Sequence, residues 1–117
     1  MSFTYALDHL EPNRAHIVRL SGRLDSTTSL AFEKSLLELL ANTGARLLLD
    51  LTQLDYISSA GLRVVLVAAK RSKQAQGHLV LFGLQPMVRE VFEISGFLKI
   101  LRTTSSLEQA LATLDQA

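Results

Sequence analysis

The chain has 117 residues, of which 48% are hydrophobic, and this composition excludes intrinsic disorder over most of its length. Its 12 basic and 11 acidic residues give a formal net charge of +1, so the composition carries no strong electrostatic signal for nucleic acid or an anionic membrane. Cysteine is absent, which rules out disulfide scaffolds, zinc–thiolate sites and cysteine nucleophiles.

The first third of the chain predicts a β-hairpin followed by a helix. Residues 3–10 and 14–20 are short, partly alternating segments separated by a polar turn with proline and asparagine, which is typical of a hairpin. Apolar residues then recur at the spacing of an amphipathic helix over 26–42, at Leu30, Leu36, Leu37 and Leu40. Asp25 or Ser26 is the expected N-cap of this helix.

The rest of the chain alternates short apolar runs with amphipathic stretches. Short unbroken runs favour strands buried on both faces, whereas spacings of three and four residues favour helices. Gly44, Gly77 and Gly96 follow the first three predicted helices, and Pro86 suits the first turn of the third. In chain order, the predicted elements are strand 47–51, helix 59–76, strand 78–83, helix 86–94, strand 99–103 and a last helix capped by Ser105 or Ser106.

The resulting order, β-β-α-β-α-β-α-β-α, predicts an α/β fold. Strands that alternate with helices favour a mainly parallel sheet, and the opening hairpin adds an antiparallel edge. We therefore expect one mixed, mostly parallel sheet of about five strands that carries four helices.

Motifs for catalysis and metal binding are absent from the sequence. His9, His16 and His78 have neither an i,i+4 partner nor the carboxylate pattern of a metal site. The chain has no Gly-x-Ser-x-Gly elbow, no Walker-type loop and no Gly-x-Gly-x-x-Gly motif. A hydrolase built on Ser58 or Ser59 would lack an identifiable base. We therefore expect no catalytic residue, no metal and no cofactor, and the chain is not predicted to be an enzyme.

The segment between the third strand and the second helix has an unusual composition, with two serines at the predicted helix start and a glycine in the first turn. Ser58 and Ser59 fall at the predicted N-terminus of the helix, where free N–H groups and a partial positive charge favour an anion. Gly61 lies in the first turn although glycine costs helix stability, so we expect it to let another surface approach the backbone. Two interpretations stay open: a functional turn at the carboxyl end of a parallel strand, or an ordinary N-cap.

Four segments of the chain resemble the STAS domain, and within it the stand-alone bacterial anti-sigma factor antagonists. The likeness covers most of the chain in the family's order and is concentrated in residues 45–101. It implies the family's α/β fold. The segments are Ser21-Gly22-Arg23-Leu24-Asp25, the strand, loop and helix start over 49–62, the strand 77–83, and the third helix with its exit over 88–97.

The resemblance implies a phosphorylation site. In the family, a partner kinase modifies a Ser or Thr within an Asp-Ser-Ser-Gly type motif, and the matching acceptor here is Ser59. Ser58 stands where many members have Asp, and Ala60 replaces the second Ser. Asp25 corresponds to the family's acidic residue near the acceptor, with a capping role for the first helix as the alternative.

The resemblance also implies partners. The unphosphorylated chain would bind an anti-sigma factor that is a serine-protein kinase and so release a sigma factor; phosphate on Ser59 would end this binding, and a phosphatase would restore it. The expected partner-binding residues lie on the second helix and beside its start: Asp25, Ser58, Ser59, Gly61, Leu62, Arg63, Val64 and Val67. For Val64 and Val67, exposure at a partner surface and packing under a neighbouring element both stay open.

A second interpretation keeps the fold without the sigma factor. In it, the chain is a STAS interaction module of a stress-signalling or lipid-transport assembly. Neither a signal peptide nor an apolar run of membrane-spanning length is visible, so we expect a single cytoplasmic domain over 1–117 with no membrane span and no direct contact with nucleic acid. The expected oligomeric state is a monomer or weak dimer.

Overall fold

The computed structural model describes residues 3–10, 15–41 and 45–115, which form a five-stranded sheet and four α-helices in the predicted order. The strands are β1 Thr4–Leu10, β2 Ala15–Leu24, β3 Arg46–Ile57, β4 His78–Phe82 and β5 Thr103–Thr104. The helices are α1 Ser29–Leu40, α2 Ser59–Gln74, α3 Pro86–Ile94 and α4 Leu107–Asp115, with a 3-10 turn at Phe97–Lys99.

The order of strands in the sheet follows their order in the chain, β1-β2-β3-β4-β5. β1 pairs antiparallel with β2, and each later pair is parallel. The predicted mixed sheet with an antiparallel opening hairpin is thereby confirmed. The predicted turn of that hairpin at 11–13 and the predicted stop at Gly44 lie outside the described residues.

The helices cover the two faces of the sheet unequally. One face packs against α1, α2 and α3 in a core that includes Phe32, Val65 and Phe92. The other face carries α4 over a smaller cluster. Leu49 points into the first core and its neighbour Leu48 into the second, which explains the unbroken apolar character of β3 at this point.

β2 and β3 run farther than predicted. The predicted strand ends at 20 and 51 are wrong, because the two strands remain paired as far as Leu24 and Ile57. The ladder passes two register shifts on the way, and the polar residues Thr52 and Gln53 are exposed within it. The predicted loop before α2 is therefore strand up to Ile57, and α2 begins after a single intervening residue.

The structure also decides the predicted starts of β5, α1 and α4. Lys99 belongs to the 3-10 turn rather than to β5, which is only two residues long. α1 begins at Ser29, three residues later than predicted. Ser106, one of the two expected caps of α4, accepts a hydrogen bond from the Gln109 amide at 3.2 Å.

Candidate functional site

The chain passes from β3 to α2 through Ser58. This residue has extended backbone angles, φ −88° and ψ 174°, and its hydroxyl oxygen accepts a hydrogen bond from the Gly61 amide at 3.2 Å. The bond satisfies one of the amides that a helix N-terminus leaves without a partner. The N-cap role that the sequence allows for either serine therefore belongs to Ser58.

Ser59 is the first residue of α2, and its side chain is exposed. Within the described part of the chain, its hydroxyl takes part in no side-chain hydrogen bond, unlike that of Ser58. A negative group attached at this position would lie at the positive end of a 16-residue helix. Ser59 is therefore the exposed serine of the pair, and its hydroxyl is not needed for the cap.

Asp25 lies beside this turn because the Ser58 amide donates a hydrogen bond to the Leu24 carbonyl oxygen at 2.9 Å. The Asp25 carboxylate accepts bonds from the Thr27 hydroxyl at 2.7 Å and the Thr27 amide at 3.0 Å. These two bonds, with a smaller contribution from Thr28, lower the pKa of Asp25 below its ordinary value, although partial burial opposes them. Asp25 is thus a carboxylate at neutral pH.

The predicted N-cap of α1, Asp25 or Ser26, is wrong. The helix N-cap position is Thr28, whose side chain makes no capping bond, rather than Asp25 or Ser26. Asp25 closes the turn before the helix, and its carbonyl oxygen accepts from the Ser29 amide at 3.0 Å. Asp25 therefore holds the end of β2 to the start of α1 next to Ser58.

Gly61 lets α2 pack closely against the ends of β2 and β3. A Cβ at this position would lie 2.8 Å from Leu24 Cγ, 2.9 Å from Ile57 Cγ1 and 2.9 Å from the Leu24 carbonyl oxygen. The surface that approaches the Gly61 backbone belongs to the protein itself, and Gly61 is buried. Its expected place in a partner-binding surface stays a prediction, although Leu24 and Ile57 already cover Gly61.

Leu62 and Val64, which the prediction also places on the partner-binding surface, are buried as well. They are 5% and 2% exposed and belong to the core beneath α1, α2 and α3. Of the two interpretations left open for Val64, packing under a neighbouring element is the one observed. Val67 is half-buried and Arg63 is exposed, so these two residues keep part of their side chains accessible.

The helical spacing groups Leu30 with Leu36 and Leu40, but Leu30 is exposed whereas the other two are buried. Leu30 is 77% exposed. Glu33, three residues on and hence on the same side of the helix, has Oε1 3.8 Å from a guanidinium nitrogen of Arg63 on α2. The ion pair shows that this side of α1 borders the exposed side of α2, which also carries Ser59 at i−4 from Arg63.

We call this area the α1–α2 surface and define it by its accessible residues. It combines two carboxylates, one hydroxyl, two apolar side chains and one guanidinium group near the carboxyl end of β3. Its members are Asp25, Leu30, Glu33, Ser59, Arg63 and Val67.

The geometry for serine hydrolysis is not assembled around Ser59. His16 and His78 lie at the starts of β2 and β4, whereas Ser59 follows the end of β3, at the opposite end of the parallel strands. Within residues 3–10, 15–41 and 45–115, no group of three or more histidines and acidic residues could hold a metal ion. In the same ranges, no helix has the length and apolar character needed to cross a bilayer.

Comparisons with known proteins agree on one family. The sequence model of the STAS domain family matches residues 7–110 of this chain. BtrV of Bordetella bronchiseptica, described as a candidate anti-sigma factor antagonist, is 50% identical over 101 residues, which cover 86% of this chain and 87% of that protein. The anti-sigma-B factor antagonist of Listeria monocytogenes is 33% identical over 94 residues, which cover 80% of this chain and 77% of that protein.

A solved structure extends the likeness to the fold. It is the phosphorylated form of SpoIIAA, a Bacillus cell fate determinant, which matches this chain with a TM-score of 0.71 at 19% sequence identity. The match covers 94% of this chain and 98% of that one. At this identity, the likeness concerns the arrangement of strands and helices alone.

Proposed function

The chain belongs to the STAS domain family, and we propose that it is a cytoplasmic anti-sigma factor antagonist whose activity is switched off by phosphorylation of Ser59. In the unphosphorylated state it binds an anti-sigma factor that is also a serine kinase, and a sigma factor is released. A phosphatase returns the phosphorylated chain to the binding state. The chain catalyses no reaction itself. The names of both curated relatives support the general role.

The observation that carries the proposal is the structural difference between Ser58 and Ser59. Ser58 is used internally as the α2 cap, whereas Ser59 is exposed and has an uncommitted hydroxyl. A phosphate there adds a charge of roughly −1.5 to −2 at the positive end of α2. Phosphorylation is therefore compatible with the fold, and its effect falls on whatever binds the α1–α2 surface.

The charges on the α1–α2 surface explain how phosphate would prevent binding. Asp25 is already ionised beside the turn, and Arg63 is engaged with Glu33. A partner that covers Ser59 would have to bury the phosphate next to a carboxylate. Leaving such a charge unpaired in an interface costs on the order of 2–5 kcal/mol, which is enough to separate a transient complex.

The modification is tested by incubating the chain with anti-sigma factor kinases and ATP and mapping phosphate by mass spectrometry. We expect phosphate on Ser59 and none on the Ser59→Ala variant. The Ser58→Ala variant is the control, because it removes the neighbouring hydroxyl and leaves the acceptor. Full phosphorylation of the Ser59→Ala variant would refute the site.

The switch is tested by calorimetric titration of a kinase that modifies the chain. We expect Ser59→Glu to weaken binding at least about tenfold relative to wild type. Ala112→Glu places the same charge at an exposed position on α4, across the sheet, and should bind like wild type. Equal affinity of Ser59→Glu and wild type would refute the mechanism. Recovery of a transporter ATPase in place of a kinase from the native cell would favour the interaction-module interpretation.

A further inference from the structure

A groove lies at the end of the sheet opposite Ser59, where α2 ends and β4 begins. Its volume is about 540 Å³, which falls in the range of roughly 300–1,000 Å³ typical of small-molecule sites. We call it the His78 groove. The residues that give it chemical character are Ser72, Lys73, Gln76, His78, Ile100 and Arg102.

The rim of the His78 groove is positively charged. Lys73 and Arg102 are exposed, and neither has a carboxylate within ion-pair distance in the described part of the chain. A guanidinium nitrogen of Arg102 lies 3.3 Å from His78 Nδ1, and because arginine can only donate, Nδ1 accepts this bond. Two cations without anionic partners thus meet at one cavity.

Ser72 contributes an unusual hydroxyl group. The residue is 2% exposed, and its Oγ has no hydrogen-bond partner among the described residues. Buried polar atoms nearly always have a partner, because leaving one unpaired is destabilising. Ser72 is also one of the lining residues of the His78 groove, and its covered Oγ therefore lies close behind the groove wall.

The backbone of the groove is strained at Gln76. This is the only residue other than glycine with a positive φ in the described ranges, at 60°. It follows the last turn of α2, where its amide donates to the Lys73 carbonyl oxygen at 3.1 Å and the Gly77 amide donates to the Ser72 carbonyl oxygen at 2.8 Å. Such strained residues are concentrated at binding sites.

The remaining wall of the groove is apolar. Leu79, Ile100 and Leu101 line it. Leu79 and Leu101 are each 7% exposed, whereas Ile100 is 71% exposed. A ligand that fits this groove needs a negative group for the rim and a hydrocarbon part for the wall. Neither a purely ionic nor a purely apolar compound would use both.

We propose that the His78 groove binds a small amphipathic anion. Its carboxylate or phosphate is held by Arg102 and Lys73, and its apolar part lies against Ile100 and Leu101. The covered Ser72 hydroxyl rotates into the groove to donate a hydrogen bond to the anion. The site is separate from Ser59 and does not depend on the chain's role as an antagonist.

Titrations of the ¹⁵N-labelled full chain, followed by NMR, test the site with four probes. Hexanoate and hexyl phosphate distinguish the two possible head groups, inorganic phosphate lacks the apolar part, and hexanol lacks the charge. We expect saturable shifts of amides in 72–78 and 100–102 with at least one of the two amphipathic anions, at concentrations up to about 20 mM. We expect inorganic phosphate and hexanol to bind at least about tenfold more weakly. No saturation with either anion, or equal binding of hexanol or of inorganic phosphate, would overturn the proposal.

Variants locate the binding within the groove. Arg102→Gln and Lys73→Gln should each weaken binding of the better amphipathic anion at least about tenfold. Arg71→Gln is the matched control, because Arg71 is an exposed cation on the same helix that borders a different depression. Ser72→Ala should weaken binding without lowering the melting temperature, since it removes an unpartnered group. Equal loss of affinity in Arg71→Gln and Arg102→Gln would indicate unspecific charge attraction and overturn the site.

Discussion

The amide of Ser58 donates a hydrogen bond to the carbonyl oxygen of Leu24 at 2.9 Å, and this bond joins the end of β2 to the start of α2. The bond continues the pairing of Leu24 with Ile57, the last pair between β2 and β3. It brings the Asp25 turn beside the α2 cap. The ionised carboxylate and the exposed hydroxyl of Ser59 therefore share one surface because two adjacent strands end together.

Replacing Gly61 with alanine should destabilise the protein by about 1–3 kcal/mol, because the added methyl group overpacks this junction. The new Cβ would lie 2.9 Å from the Leu24 carbonyl oxygen, a backbone atom that cannot rotate away. This effect should outweigh the gain of about 1 kcal/mol that alanine normally brings to a helix. Urea denaturation measures the change, with Gln74→Ala as the control at an exposed position of α2. A Gly61→Ala variant as stable as wild type would contradict the close contact.

Replacing Ser58 with alanine should lower the free energy of unfolding by about 1 kcal/mol, because the Gly61 amide loses its capping partner. Ser58→Asp should stay close to wild type, since aspartate caps equally well and its charge suits a helix N-terminus. Ser59→Ala should change stability by less than about 0.5 kcal/mol because its side chain is exposed. Thermal and urea denaturation of the three variants would distinguish the roles. A larger loss for Ser59→Ala than for Ser58→Ala would reverse the assignment.

The order and type of the elements follow from the sequence because the helices have a distinct period, the buried strands are short unbroken apolar runs, and glycine or proline marks several of the boundaries. The ends of β2 and β3 do not, since pairing past 20 and 51 depends on the neighbouring strand rather than on local hydrophobicity. The two serines could be placed at the start of α2 from capping chemistry, and the family resemblance selected Ser59. The residues facing a partner could not be selected in the same way.

The exposed face of α2 was hard to predict because this helix contacts both the sheet and α1. Apolar residues on more than one stripe are then buried, as Leu62 and Val64 are. The same reasoning placed Leu30 in the core of α1. The buried face of α1 is formed by Ser29, Phe32, Leu36 and Leu40, and Leu30 lies outside this face and remains exposed.

The end of α2 allows a pair of opposite predictions. Gln76→Gly should stabilise the protein by roughly 0.5–1 kcal/mol, since glycine adopts the left-handed backbone conformation at φ 60° without strain. Gly77→Ala should destabilise it by at least about 1 kcal/mol, because a Cβ there would lie 2.4 Å from the Ala45 carbonyl oxygen. Differential scanning calorimetry should show the melting temperature rising for the first variant and falling for the second. Shifts in the same direction would contradict the described end of α2.

The Asp25 turn should make stability depend on pH. Hydrogen bonds from the Thr27 hydroxyl and amide lower the folded-state pKa of Asp25 below its ordinary value of 3.8. The stabilisation is therefore complete above the unfolded-state pKa and is lost as the pH falls through the lower, folded-state pKa. Thr27→Val removes the hydroxyl donor, so the pKa of Asp25 should rise towards its ordinary value. Carbon-detected NMR titration of the Asp25 carboxyl group measures the pKa directly.

Two comparisons separate this effect of Thr27 from a general loss of stability. Thr4→Val makes the same substitution at an exposed position of β1 and should leave the pKa of Asp25 unchanged. The difference in unfolding free energy between wild type and Thr27→Val should shrink at acid pH, because Asp25 is then protonated in both proteins. A wild-type Asp25 that titrates at or above its ordinary pKa, or a difference in stability that does not change with pH, would show that the hydrogen bonds from Thr27 do not stabilise the Asp25 carboxylate.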